Sequence, residues 1–369
     1  MLNREALSHP APATVFQRPT KGMRARRFIL IAAAIAALVG APLSAGAASS
    51  RNLNGDELVQ IGDLHEVQNH LQEALPYYQR AVTAYRERRN RVGEATALLR
   101  VGQVQERQGR LQEAFESIKS GVAVLAITRD RDRQASALLQ LGHVAAAVGR
   151  VPEADAAYRE ARQLFERTKN RRGATDAGLG LAALWVREGR LTDAMTVAMQ
   201  ALADARARND GQQEAEALVL LGDAYGQTED SERAAESYSR AMALLKGRGQ
   251  TAREAEIRLR LARALMELRD DEKARAVAQG ALPLYQTIKD RLGEADALSL
   301  LGTLALRQGD LSRAIDHHQH ALELYRALRH GPREAGTLAN LALVYEAQGT
   351  VDQARETQAK VVFLLQRAS

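Results

Sequence analysis

Residues 291–330 read RLGEADALSLLGTLALRQGDLSRAIDHHQHALELYRALRH, and the same pattern returns every forty residues along the chain. Each of eight copies has an apolar residue followed by glycine or alanine. These pairs are Ile61-Gly62, Val101-Gly102, Leu141-Gly142, Leu181-Ala182, Leu221-Gly222, Leu261-Ala262, Leu301-Gly302 and Leu341-Ala342. Twelve positions after the small residue, every copy has an alanine: Ala74, Ala114, Ala154, Ala194, Ala234, Ala274, Ala314 and Ala354. Self-similarity at a fixed period predicts a repeat architecture instead of a single irregular core.

Each unit is predicted to contain two helices. In residues 291–330 the apolar residues recur at steps of three and four before and after a turn at residues 308–310, which places them on one helical face. We call the helix before the turn helix A and the helix after it helix B. Gly302 and Ala314 are predicted to mark the contact between the two helices, because a larger side chain there would overpack it by roughly 1 to 3 kcal/mol.

The turn between helix A and helix B carries glycine in five units, which suits the left-handed residue that ends many helices. Asn69, Glu229 and Arg269 take the place of glycine in the other three units. Asparagine adopts the left-handed conformation readily, whereas glutamate and arginine do so less well. The fifth and sixth units are therefore expected to be the least regular, with a local bend or a looser joint.

The spacing of the Leu-Gly pair and the later alanine resembles the tetratricopeptide repeat, a helix-turn-helix unit with small residues at fixed places. The resemblance covers residues 54–369, although the period is forty residues instead of the usual length of about 34. It implies an all-α fold, an α-solenoid in which helix-turn-helix units stack into a right-handed superhelix. We assign residues 48–369 to this solenoid of about eight repeats and residues 1–47 to a leader.

The leader has the features of a secretory signal peptide. A basic segment precedes an apolar run at residues 28–39, and Ala45 and Ala47 follow with the spacing of a cleavage site. Translation from Met23 would give a leader of ordinary length, so we interpret Met23 as the true start. The predicted location is the periplasm or the outside of a bacterial cell. The alternative is an uncleaved inner-membrane anchor, although the twelve-residue apolar run is shorter than the ~20 residues that span a bilayer.

Removal of the leader leaves the chain almost neutral. The whole sequence has 51 basic and 45 acidic residues, and residues 1–47 contain six and one of these, so the remainder has 45 basic against 44 acidic residues. This balance argues against nucleic acid as a partner. The sequence has no cysteine, which excludes disulfides and thiolate metal sites, so packing between neighbouring units has to supply the stability.

The resemblance implies that helix A lines a concave groove, where family members usually bind peptides or protein segments. The inward position two places before the leucine of the Leu-Gly pair is apolar in most units: Val59, Leu99, Leu139, Leu179, Val219, Leu259, Ser299 and Ala339. If this strip is exposed, it favours an amphipathic or apolar segment as ligand. The alternative is that longer helices bury this position against the next repeat.

The position two places after the same leucine varies from unit to unit, as expected for recognition of one particular partner. Its residues are Asp63, Gln103, His143, Ala183, Asp223, Arg263, Thr303 and Leu343. Another candidate surface is the last helix, predicted at residues 351–367, which carries the apolar run from Val361 to Leu365 and has no capping helix after it. This end is either partly exposed or covered, and self-association through it is one possibility that the pattern favours.

No pattern in the sequence indicates catalysis or a bound cofactor, since a phosphate-binding glycine loop, a zinc-protease histidine pair and a nucleophile elbow are all missing. Asp316, His317, His318 and His320 have a spacing that can hold a metal ion. However, His318 takes the core-facing place of tyrosine in sister units, so we predict no metal site. Trp185 is interpreted as packing between helices.

The predicted function is that of a non-catalytic exported scaffold or adaptor, which binds a peptide segment or a protein partner through the helix A groove. The alternative is a regulatory or sensory subunit of an enzyme system whose catalytic domain is on another chain. A membrane is a partner only if the leader stays uncleaved.

Overall fold

The computed structural model describes residues 53–368, which form sixteen α-helices without a strand. The all-α fold class, which the resemblance to the tetratricopeptide repeat implies, is therefore confirmed. None of these helices combines the length and the apolar character that crossing a bilayer requires. The predicted leader at residues 1–47, including the proposed start at Met23, lies outside the described residues.

The helices group into two compact units that divide after Arg129. The first unit contains α1 (Gly55–Val67), α2 (Leu71–Glu87), α3 (Arg91–Arg107) and α4 (Leu111–Ala126). The second unit begins with α5 (Arg131–Val148), α6 (Val151–Arg167), α7 (Arg171–Arg187), α8 (Leu191–Ala207), α9 (Gly211–Gln227) and α10 (Ser231–Leu245). It continues with α11 (Thr251–Glu267), α12 (Asp271–Ile288), α13 (Arg291–Arg307), α14 (Leu311–Ala327), α15 (Gly331–Gln348) and α16 (Val351–Ala368).

Odd-numbered helices correspond to helix A and even-numbered helices to helix B. Each helix A packs most extensively on the helix B that follows it. Among like helices, the most extensive contacts join neighbouring A helices, at α1–α3 in the first unit and at α5–α7, α7–α9, α11–α13 and α13–α15 in the second. Because the A helices approach each other more closely than the B helices do, we call the surface that they form the inner face of each unit.

The glycine of the Leu-Gly pair makes room for a large side chain on helix B. A methyl group at Gly222 would lie 2.6 Å from the Tyr238 ring, and one at Gly302 would lie 2.7 Å from the His318 ring. The contact partner of Gly302 is therefore His318, sixteen residues later, although the predicted partner Ala314 is also fully buried. The other pairs of this kind are Gly62 with Tyr78, Gly102 with Ile118 and Gly142 with Tyr158.

In the fourth and sixth repeats, smaller side chains fill the same contact between helix A and helix B. Ala182 and Ala198 lie in one core cluster, and Ala262 and Ala278 lie in another. In both cases alanine replaces the glycine on helix A and also replaces the large residue sixteen positions later on helix B. In each of the first seven repeats, the volumes of the side chains at these two positions therefore compensate each other, which keeps the interior close-packed.

The joints between helices share one geometry, whether they connect A to B or B to the next A. At thirteen joints, spaced by multiples of twenty residues, a residue with positive φ follows the helix. At each of them the next residue donates its backbone N–H to a carbonyl five residues earlier, for example Asp230 to Tyr225 at 2.9 Å. This is the Schellman arrangement, which satisfies carbonyl groups at the end of a helix.

The residue that completes this bond often also caps the next helix. The side chain of Asn90 accepts a hydrogen bond from the backbone N–H of Gly93 at 2.9 Å, and Asp310 accepts one from Arg313 at 3.1 Å. A side-chain cap of this type typically stabilises a helix by about 1 kcal/mol. The short Asn or Asp after the left-handed residue therefore ends one helix and begins the next.

The turns at Glu229 and Arg269 are regular. The sequence analysis expected irregularity in the fifth and sixth repeats because these residues replace glycine, and that reason is wrong. Both residues adopt the left-handed conformation, with φ of 62° and 63°, and keep the same hydrogen bonds as the glycine turns. The neighbouring helices impose this conformation in spite of its local cost. The departures from the common joint lie instead at residues 127–130 and at residues 246–250, where α10 ends early and Gly247 and Gly249 both have positive φ.

Replacing Arg269 with glycine is expected to raise the free energy of unfolding by about 0.5 to 1 kcal/mol, because glycine reaches φ near 63° without a steric penalty. Gly309→Ala, at the equivalent turn with φ of 78°, should lower it by a similar amount. Urea unfolding followed by circular dichroism measures both changes. Equal effects of the two substitutions, with the same sign, would contradict this account of the turns.

Candidate partner-binding face

Three members of the apolar row of helix A belong to the core. Leu179, Val219 and Leu259 are 3%, 1% and 5% exposed, and they pack in the two large clusters of the second unit. The alternative in which neighbouring helices bury this position therefore holds for these three residues, and they are removed from the candidate binding surface. Of the remaining members, Val59, Leu99, Leu139 and Ser299 are half-buried and Ala339 is exposed.

The varied row lies at the surface of the inner face. Arg263 and Leu343 are exposed. The half-buried members are Asp63, Gln103, His143, Ala183, Asp223 and Thr303. These positions can therefore touch a ligand, as can the half-buried apolar side chains of Val59, Leu99 and Leu139. The inner face consequently offers polar and charged groups beside the part of the apolar row that is not buried.

Much of this charge is paired within the chain, most extensively between α9 and α11. Arg260 binds both carboxylate oxygens of Asp223 and donates to Glu256 at 2.5 Å. The hydroxyl of Tyr238 donates to Asp223 at 2.7 Å, and Arg253 donates to Glu256 at 2.8 Å. Two carboxylates and two guanidinium groups thus neutralise one another across neighbouring repeats.

The pKa directions favour the charged forms of Arg260 and Glu256 and the neutral form of Tyr238. Burial opposes the charge of Arg260, but Asp223 and Glu256 outweigh it and raise the Arg260 pKa. Burial likewise favours the neutral form of Glu256, yet Arg253 and Arg260 lower its pKa. Burial and the nearby Asp223 carboxylate raise the pKa of Tyr238, which keeps its hydroxyl protonated. This part of the inner face is therefore already neutralised.

The first compact unit has the same arrangement, four repeats earlier in the sequence. The Tyr78 hydroxyl donates to Asp63 at 2.7 Å and to Glu66 at 2.9 Å. Arg100 lies 3.6 Å from Asp63, and Arg107 lies 2.9 Å from Glu66. The same combination of tyrosine, aspartate and arginine therefore joins the first two helix pairs and the pairs of α9 and α11.

An acidic residue recurs near the start of helix A, and the sequence reasoning did not identify this recurrence. It occurs at Asp56, Asp176, Glu216, Glu256 and Asp296. Asp56 accepts a hydrogen bond from the Tyr85 hydroxyl at 2.5 Å. Asp296 accepts one from Tyr325 at 2.6 Å and pairs with Arg333. The forty-residue recurrence of an acid was the available signal.

Asp176 and Glu216 differ from the other members of this series. Asp176 accepts a hydrogen bond from the Gln213 amide at 2.5 Å. Within residues 53–368, neither carboxylate lies within 4.0 Å of a cationic group, and Glu216 makes no hydrogen bond. Burial raises the pKa of the Asp176 carboxyl group. Neither acid therefore forms a direct ion pair, although Arg172 and Arg208 act on Asp176, and Arg253 acts on Glu216, from beyond that distance.

The histidine-rich segment of α14 is organised around packing. His318 is fully buried, and both ring nitrogens lack a hydrogen-bond partner. Burial, and to a lesser extent His317, lower its pKa to about 4. Among the described residues 53–368, no three histidine or acidic side chains come together in a way that could hold a metal ion.

Trp185 packs between helices, as predicted from its place on helix A. It is 5% exposed, and its indole nitrogen donates to Asp155 on α6 at 2.6 Å. The guanidinium groups of Arg159 and Arg190 lie 4.9 and 4.4 Å from the indole ring. These contacts assign Trp185 to the joint between two repeats instead of to a ligand surface.

The last helix, α16, has one packed side and one exposed side. Val361 and Leu364 pack against Leu338 and Leu341. The exposed side includes Val362, Phe363 and Leu365, which are 54%, 57% and 56% exposed. Self-association through this helix remains a prediction.

The family comparison agrees with the helix pairs and their small-residue contacts. A model of the tetratricopeptide repeat matches residues 57–125 and 253–327, and a second model of the same repeat matches residues 215–244. The chain belongs to the tetratricopeptide repeat family. A comparison with curated proteins gives no significant match.

Solved structures with a similar fold include several bacterial regulators. Aspartyl phosphate phosphatase F of Bacillus subtilis is 13% identical, with a TM-score of 0.62 over 93% of this chain and 91% of its own. The apo quorum sensor NprR of B. thuringiensis is 11% identical, with a TM-score of 0.63 over 93% and 94% of the two chains. The Rap conjugation gene regulator of plasmid pLS20, in complex with the Phr* peptide, is 13% identical, with a TM-score of 0.56 over 85% and 95%. At these identities the likeness establishes the fold alone.

Proposed function

We propose that this protein is a non-catalytic adaptor that binds a peptide or a segment of a partner protein along the inner face of helix A. The observation that carries the proposal is the varied row, whose polar side chains are exposed or half-buried, whereas three large members of the apolar row beside it are buried. A surface that changes chemistry from repeat to repeat suits recognition of one extended ligand. The similar fold of a Rap regulator in complex with a peptide supports the same reading.

We also propose that the protein acts after export, in the periplasm or outside the cell. The order of a basic segment, an apolar run and small residues within residues 1–47 supports this proposal. Expression of the full-length coding sequence with a C-terminal tag, followed by N-terminal sequencing of the purified protein, tests it. A first residue near Ala48 is expected, and a protein that retains residues 24–47 would contradict cleavage.

Site-specific photocrosslinking tests the binding face. A photoreactive phenylalanine is placed at His143, Arg263 or Thr303 on the inner face, and at Glu160 or Asp204, which are exposed on the B helices α6 and α8. Inner-face positions are expected to crosslink a discrete partner in the cells that make the protein, and the B-helix positions are expected to give none. Crosslinks from the B-helix positions alone, or none from the inner face, would overturn the proposal.

Substitutions in the apolar row do not provide this test. Because Leu179 and Val219 are almost completely buried, serine at either position would disrupt the core and remove binding indirectly. The photocrosslinking positions avoid this problem, since all of them are exposed or half-buried.

A further inference from the structure

We propose that two copies of this chain bind each other end to end, with α1 of one copy packed on α15 and α16 of the other. The contact would have the geometry of a junction between successive repeats inside the chain. This inference goes beyond the proposed function, because it concerns the two ends of the array and does not depend on a ligand at the inner face. It rests on positions that the internal junctions bury and that the two ends leave uncovered.

The last helix carries apolar side chains at places that the internal repeats cover. Leu365 is exposed, and so is Val362, one turn earlier. At the six junctions within the two compact units, the residues equivalent to Leu365 are all buried: Tyr85, Phe165, Ala205, Leu245, Tyr285 and Tyr325. The next helix A provides that cover, since a methyl group at Gly173 of α7 would lie 2.7 Å from the Phe165 ring. Within residues 53–368, no helix follows α16 to cover Leu365 in the same way.

The first helix leaves the complementary side uncovered. Leu64 on α1 is half-buried, whereas its equivalents at the same six junctions are all buried: Val104, Leu184, Ala224, Ala264, Leu304 and Val344. At an internal junction this residue packs on the preceding helix B, as Val104 does on Ala74 and Tyr78 of α2. No helix B precedes α1 within residues 53–368. The first helix therefore presents one half of a repeat junction, and α16 presents the other half.

One pair of positions matches across the two ends. In the second unit, Arg307 on α13 lies 3.0 Å from Asp271 at the start of α12, and this ion pair joins the sixth and seventh repeats. Val67 takes the place of Arg307 in the first repeat, and Val351 takes the place of Asp271 in the last. Both valines are exposed, Val67 by 85%. In a contact with the geometry of an internal junction, these two apolar residues would face each other where the interior of the array has opposite charges.

The internal junctions also define what covers the exposed side of α16. Each of them covers a helix B with a helix A, and α1 is the helix A that lacks a helix B before it among the described residues. Glu57 takes the place of the buried Ala97 on this side of α1, but its carboxylate accepts the backbone N–H of Asn54 at 2.9 Å, at the start of its own helix. A second copy of the chain therefore supplies a helix of the right type, and burial of exposed apolar side chains at both ends favours the contact.

Sedimentation velocity of the protein, purified after expression of the full-length coding sequence, tests this contact. The average mass is expected to rise above that of one copy as the protein concentration increases. Val67→Glu, at the α1 end, and Leu365→Glu, at the α16 end, should each weaken the association at least about tenfold, because each places a charge against apolar side chains. Both positions are exposed, so circular dichroism should show both variants folded.

A mixture of the two variants separates this contact from other modes of association. The Val67→Glu protein keeps an intact α16 end, and the Leu365→Glu protein keeps an intact α1 end. An equimolar mixture is therefore expected to form a 1:1 complex that neither variant forms alone. This complex should not grow further, because its outer ends are the two altered ones.

The matched control is Met199→Glu, which places the same charge at an exposed apolar residue of α8, away from both ends. This variant should associate as the unchanged protein does. A protein that stays monomeric at all concentrations would overturn the inference, and so would a mixture of the two variants without a complex. Unaltered association of the Val67→Glu protein would also overturn it, because contact between the α16 helices of two copies does not involve α1.

Discussion

Substitution of Gly222 by alanine is expected to lower the free energy of unfolding by about 1 to 3 kcal/mol, because the added methyl group would lie 2.6 Å from the Tyr238 ring. Tyr238→Ala alone should cost about 3 to 5 kcal/mol, since it leaves a cavity in the core. The double variant should cost less than the sum of the two single changes. It reproduces the alanine pair that the fourth repeat already has at Ala182 and Ala198.

A double-mutant cycle from urea unfolding, followed by circular dichroism, measures this coupling. Gly226→Ala is the matched control, because it lies on the same helix and a methyl group there would meet no atom within 4 Å. It should be neutral, or stabilising by up to about 1 kcal/mol. Strictly additive losses in the Gly222 and Tyr238 variants would show that the two positions do not share one packing volume.

The second large expected effect is a loss of stability in mild acid that depends on His318. Its pKa is lowered to about 4 by burial, whereas an unfolded histidine titrates near 6.5. Above pH 6.5 both states are neutral at this residue and the effect is absent. As the pH falls from 6.5 to 4, the unfolded state binds a proton that the folded state does not bind. Stability then decreases by about 1.4 kcal/mol per pH unit, or about 3 kcal/mol in total.

His318→Phe should remove this contribution, because phenylalanine has a shape similar to the tyrosines that fill the same place in sister repeats. The variant should also lose nothing at pH 7, since the two unpaired nitrogens of His318 disappear. The measurement is the difference in unfolding free energy between the protein and the variant at several pH values. His320→Gln, at an exposed position on the same helix, controls for loss of a histidine and should leave the acid sensitivity unchanged.

Much of the fold could be predicted from local features of the sequence. Small residues at Gly302 and Ala314 and the forty-residue period were sufficient for the helix pairs and the family. The regular turns at Glu229 and Arg269 were not predictable from intrinsic preferences, because the packing of two long helices overrides a local cost of about 1 to 2 kcal/mol. Intrinsic conformational preference describes an isolated residue, whereas here the packing of the neighbouring helices determines the conformation of the turn.

The candidate site was less accessible to sequence reasoning. Periodicity places Leu179 and Asp223 on one side of helix A, but it does not say how far a neighbouring helix covers each of them. Leu179 is buried, whereas Asp223 is half-buried. The network around Arg260 joins residues 37 positions apart, so no local pattern reveals that Asp223 is paired while Glu216 is not.

The regular spacing of the joints restricts which changes in chain length the fold can accept. Because thirteen of the fifteen joints in residues 53–368 form nearly the same turn at multiples of twenty residues, an insertion or deletion of twenty residues would leave the backbone path of most following turns intact. It would, however, exchange the roles of all later helices, so that side chains made for the inner face would lie on the outer helices. A change of forty residues preserves both. Length variation in an array of this kind is therefore expected to be confined to whole pairs of helix A and helix B.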